Sequence, residues 1–220
     1  MTPNQAPDQL PTLSEQMAEQ LGGWRGLVES SLPVAVFVVA NVIWGLRPAL
    51  LCAVGFAVAL AAWRLSQRRP TRHALNGIVG VGIGAAFAWN TGEAKDFYLP
   101  GILYGIGYSF ALMGSIAIRR PMVGWLWSII VDGGRPQWRL DPRLLRTFGW
   151  LTALWATVYL AKAGLQTWIF YSGLDDETKA TTLGVIRIAL GFPPYALLLG
   201  LTVWTVRRVL REPVQPAVAA

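Results

Sequence analysis

Apolar residues occupy long runs, and the polar gaps between them alternate in charge. Ahead of the first run, Leu10, Leu13, Met17, Leu21, Trp24 and Val28 recur at steps of three and four. Glu15, Gln16, Glu19 and Gln20 fall off that stripe. The spacing predicts an amphipathic helix over 12–30 that leads into the first apolar run. It would lie at the membrane interface or dock on the chain's own helices. Six apolar runs follow, each near the roughly 20 residues that cross a hydrocarbon core. They cover about Leu27–Trp44, Ala49–Leu65, Ala74–Asn90, Phe97–Ile118, Thr147–Tyr171 and Ala180–Val206. The turn Gly45-Leu46-Arg47-Pro48 joins the first two. The expected architecture is an all-α, polytopic membrane bundle of about six spans over 27–206, with an interfacial helix before it.

Charge orients this bundle. Arg64, Arg68, Arg69 and Arg72 follow the second run. Arg119, Arg120, Arg135, Arg139, Arg143 and Arg146 follow the fourth, and Arg207, Arg208 and Arg211 close the sixth. The other gaps hold Glu93 and Asp96, then Asp175, Asp176 and Glu177. With Arg25, 14 of the 19 basic residues fall on one side, against Arg47, Lys95 and Lys179 on the other. The positive-inside rule then predicts both termini in the cytoplasm of a bacterial plasma membrane. Residues 1–11 read as a disordered tail without the basic start of a signal peptide, and 207–220 as a cytoplasmic tail.

Composition supports the class and removes others. The chain is 54% hydrophobic and 14% charged, with a net charge of +7. Its arginines flank apolar runs rather than forming one basic face, which argues against nucleic acid and for anionic lipid. The single cysteine, Cys52, forms no disulfide within the chain. The single histidine, His73, builds no histidine-based metal site. No cofactor, metal cluster, phosphate loop, nucleophile triad or paired carboxylate is readable, which argues against an enzyme. Asp141-Pro142 reads as a helix cap followed by a first-turn proline, not as a catalytic acid.

Several features depart from plain spanning helices. Residues 121–131 are apolar but too short to cross, so an interfacial or underlying segment is expected. Gly80 to Gly84 and Gly101 to Gly105 have the spacing of closely packed membrane helices. Pro193-Pro194 interrupts the sixth run, where proline frees backbone carbonyls. Two cations escape the charge rule: Lys162 and Arg187 lie inside runs, where charge is costly and faces a bundle interior or cavity. Tyr159, Lys162 and Gln166 share one helix face. These residues could converge with Asn90 and Asp96 on a polar pocket that offers positive charge to an anion. The structural alternative has Arg187 snorkelling or pairing with Asp96, and Lys162 held by a carbonyl or carboxylate.

The motifs Gly22-Gly23-Trp24-Arg25, Asp96-Phe97-Tyr98-Leu99-Pro100-Gly101-Ile102, Arg119-Arg120-Pro121 and Asp141-Pro142-Arg143-Leu144 occur in that order. Leu183-Gly184, Arg187, Pro193 and Tyr195 follow. In these the chain resembles the actinobacterial DUF3159 family of small membrane proteins over about 22–206. That family brings no established activity. The order of spans is also similar, more distantly, to the intracellular septation protein A group. This resemblance implies a non-enzymatic role in the cell envelope or division, exercised through membrane-protein partners or a homo-oligomer. Two readings compete with it: a small transporter or channel subunit that binds an anion or lipid headgroup, and an enzyme acting on a lipid or isoprenoid.

Overall fold

The computed structural model describes residues 23–66, 72–131, 134, 137–191 and 193–211. Those residues fold as helices, with no strand among them. Chain contacts divide the protein into two compact units at Val81–Gly82. Most of the stripe expected over 12–30, the tail at 1–11, Arg68, Arg69 and the tail beyond Arg211 lie outside the described residues.

The first unit is a helical hairpin of α1 (Gly23–Trp44) and α2 (Leu46–Ser66). Gly45 turns the chain at φ +76°, a conformation that favours glycine because it lacks a Cβ. Its N–H donates to the Asn41 carbonyl at 3.0 Å. Phe37 and Ala40 on α1 and Ala49, Ala53 and Ala57 on α2 are all buried. Alanines four apart on α2 let the two backbones approach, the usual device where lipid provides no hydrophobic drive between helices. The start of α3 (Arg72–Thr91) also belongs to this unit.

The second unit begins within α3. A short 3₁₀ turn, Ala94–Tyr98, opens directly into α4 (Leu99–Ala117). A Cβ on Gly84 would lie 2.5 Å from the Phe97 carbonyl oxygen, so glycine is what admits the 3₁₀ turn against α3. Next comes α5 (Met122–Val131), 10 residues long. At roughly 1.5 Å per residue it is too short to cross a bilayer, as its sequence predicts. It packs against α6 (Pro142–Phe170), which Asp141 caps by accepting from the Arg143 N–H at 2.8 Å. A 3₁₀ turn, Gln137–Leu140, precedes that cap.

The last apolar run is two helices rather than one kinked span. α7 (Asp176–Ala189) ends where the Leu190 and Gly191 N–H groups close on Ile186 and Ile188. α8 (Pro193–Arg211) then begins on the two prolines. Neither proline has an N–H to continue the helical ladder, so the break falls where the sequence places them. A Cβ on Gly191 would approach the Arg187 carbonyl oxygen to 2.4 Å, and glycine permits this tight exit.

Three stretches are long and apolar enough to cross a membrane: Leu46–Ser66, Ala94–Ala117 and Asp176–Arg211, the last containing the break. Ser31–Trp44 and Ile78–Thr91 are shorter apolar helices. The protein is therefore all-helical with membrane-spanning character.

Candidate anion site

Three contacts set the frame of the site. Asp175 caps α7 by accepting from the Thr178 N–H at 2.8 Å, which holds its carboxyl below the ordinary carboxylate range. The next residue, Asp176, reaches across to the 3₁₀ turn. Its carboxylate accepts from the Ala94 N–H at 2.7 Å and the Lys95 N–H at 3.4 Å. Two otherwise orphaned helix-end donors are thereby satisfied, and α7 is fastened to the start of α4. Lys95 pairs with Glu93 and lies 5.4 Å over the Phe170 ring, joining this corner to the end of α6.

Below this corner α4 and α6 run together. Gly105 permits the approach: a Cβ there would sit 3.5 Å from the Ala163 Cβ. Gly101 leaves room of a different kind, since its Cβ would lie 3.4 Å from an Arg187 guanidinium nitrogen. Tyr98, Gly101 and Gly105 fall on one face of α4 and its entry turn, at steps of three and four. Tyr159, Lys162, Ala163 and Gln166 fall on one face of α6. Between them lies a cavity of about 230 Å³, completed by Tyr104, by Arg187 from the last two turns of α7 and by Tyr195 from the first turn of α8. Each lining residue belongs to the second unit.

The cavity is cationic and aromatic. Lys162 Nζ lies 5.3 Å from the centre of the Tyr195 ring, and the Arg187 guanidinium carbon 6.0 Å from that of Tyr98. Both are cation–π distances. Tyr159 packs on Tyr195 at 4.8 Å and on Tyr108 at 4.9 Å, and Trp155 stacks on Tyr195 at 6.1 Å. The Trp155 indole N–H donates to Thr202 Oγ1 at 3.1 Å, which fixes this aromatic wall to α8. Among the described residues, no carboxylate lies within salt-bridge distance of Lys162 or Arg187. Nor do those residues hold a cluster of histidine, cysteine and carboxylate side chains able to bind a metal.

Lys162, Gln166, Tyr159 and Arg187 thus meet as their sequence positions suggest. Asp96 and Asn90 do not join them, and Arg187 does not pair with Asp96. Asp96 is buried in the 3₁₀ turn two residues before Tyr98. At about three residues per turn, side chains two apart leave on different sides, so the turn that aims Tyr98 at the cavity takes Asp96 elsewhere. Asn90 is exposed near the end of α3, and its amide donates to the Ala86 carbonyl at 2.7 Å. Sequence reasoning missed Tyr98, Tyr104 and Tyr195. The available signal was the Tyr98–Gly101–Gly105 stripe and the position of Tyr195 directly after the prolines.

Neither a curated protein nor a solved structure matches the chain. The profile of DUF3159, described as a protein of unknown function, matches residues 21–213. That match spans nearly all of the sequence, and the chain belongs to the DUF3159 family.

Proposed function

We propose that this protein is a multi-pass membrane protein that binds an anion in the cavity between α4, α6, α7 and α8. One observation carries this reading: Lys162 and Arg187 share a cavity in which the described residues place no carboxylate in reach. A charge held among apolar spans is costly and is normally compensated. Aromatic faces compensate it in part, and a bound anion would supply the rest. Ligand sites in membrane bundles also favour interrupted helices, and this cavity takes one residue from each side of a break.

A structural reading of the two cations requires partners, and the described residues provide only ring faces. Anion binding therefore accounts for the site better than a purely partner-mediated envelope or division role. It is compatible with transport, with sensing and with delivery of a lipid. The distribution of basic residues supports about six crossings with both termini cytoplasmic.

Binding can be followed in purified full-length protein by tryptophan fluorescence, because Trp155 stacks on the cavity wall. Saturable changes with small anions are expected, and their loss in Lys162→Met and Arg187→Met. Absence of any saturable anion response in the wild type would refute the proposal. Orientation has a separate test in a Cys52→Ala background: a cysteine at Gly173 should react with an external impermeant reagent, and one at Arg69 should not. The reverse pattern would sink it.

A further inference from the structure

The cavity's chemistry narrows the anion. Resting on the anion-binding reading above, we infer that the ligand presents a terminal phosphate, either free or as a monoester. Two cations face the cavity, and a phosphate monoester carries about −1.5 to −2 at pH 7. A phosphodiester or a single carboxylate carries one charge and leaves a cation uncompensated.

Arginine offers five N–H groups in a planar fork, lysine three, and each tyrosine one O–H. Lys162, Arg187, Tyr98, Tyr104, Tyr159 and Tyr195 line the cavity together. Their side chains present donors in excess, and among the described lining residues the side-chain acceptors are the Gln166 amide oxygen and the phenol oxygens. A ligand that only accepts, through three or more oxygens, suits that inventory. The arginine fork matches phosphate geometry, while lysine acts as a compact point charge.

At about 230 Å³ the cavity lies below the roughly 300–1,000 Å³ of sites for drug-sized ligands. It fits a headgroup rather than a whole amphiphile. Tyrosine rings on α4, α6 and α8 form an apolar wall against which an organic substituent of the phosphate would rest.

The test uses full-length protein in phosphatidylcholine nanodiscs, titrated with inorganic phosphate, geranyl phosphate or succinate. A parallel preparation contains phosphatidylglycerol. Inorganic phosphate and geranyl phosphate should bind saturably. Succinate, and competition by phosphatidylglycerol, should be weaker by about tenfold or more, since neither offers the dianionic oxygen cluster. Tighter binding of geranyl phosphate than of inorganic phosphate identifies an ester as the source; equal binding identifies the free ion. Arg187→Lys keeps the charge and removes the fork, and should lose about tenfold for phosphate with unchanged helical circular dichroism. Succinate or phosphatidylglycerol binding within about twofold of phosphate would overturn the phosphate assignment and leave the anion pocket standing. So would an Arg187→Lys protein that binds phosphate like wild type. Absence of binding by every anion would overturn both.

Discussion

The two halves of α6 solve opposite problems. Its first half, through Phe148 and Leu151, packs into a cluster with Val123, Trp138, Leu144 and Val206. Phe148 is fully buried there, 5.3 Å from Trp138 and 6.4 Å from Trp127. A Cβ on Gly124 would come within 3.0 Å of both Phe148 and Trp138, so no space is spare. Polar groups in this half have local partners: Thr152 donates to the Phe148 carbonyl at 2.7 Å and accepts from the Val123 N–H at 3.3 Å. The second half, from Tyr159 to Gln166, borders space instead of filling it and presents a lysine with ring faces for company. One helix therefore carries a densely packed region and a region that borders a cavity, where the described residues set ring faces beside Lys162.

That contrast can be broken most forcefully at Phe148. Phe148→Ala should destabilise the protein by about 3–5 kcal/mol, the range for deleting a buried aromatic. Denaturation in mild detergent measures it. The folded fraction should keep its anion affinity, because Phe148 does not line the cavity. A loss of affinity as large as that of Lys162→Met would erase the distinction between the halves. An intermediate effect is expected at Thr202, where the halves meet. Thr202→Val removes the acceptor of the Trp155 N–H and should cost about 1–3 kcal/mol, with a shift in tryptophan emission.

The smallest effect lies at the corner above the cavity. The Asp175 carboxyl is held below its ordinary value, so its contribution to α7 is present above about pH 4 and lost as pH falls through the lowered value. The protection factor of the Thr178 amide should be high at neutral pH and fall in acid. Asp175→Ala should abolish that pH dependence while leaving the cavity's anion response intact.

The ends of helices were legible because they depend on neighbours in sequence. Asp141-Pro142 starts α6, Gly45 turns the hairpin and Pro193-Pro194 starts α8, each through backbone chemistry confined to a few residues. Lys162 and Arg187 were legible as charges within apolar runs. Their common cavity was half legible, through the helical spacing of Tyr159, Lys162 and Gln166. The other half depends on α4, α7 and α8 meeting α6, which no local period encodes. Asp96 shows the cost of reading distance along the chain as proximity: it is buried two residues before Tyr98, and side chains two apart leave a helical turn on different sides. The bridge from Asp176 on α7 to the start of α4 was not legible, because it depends on two backbone N–H groups distant in sequence that need an acceptor.

The central claim is that Lys162 is a cation awaiting a ligand rather than a structural element. Thermal unfolding of wild type and Lys162→Met, in phosphatidylcholine nanodiscs with and without inorganic phosphate, tests it most directly. Lys162→Met should be at least as stable as wild type without phosphate, and phosphate should raise the midpoint of wild type alone. A variant that unfolds earlier than wild type, beside a wild type indifferent to phosphate, would contradict the account.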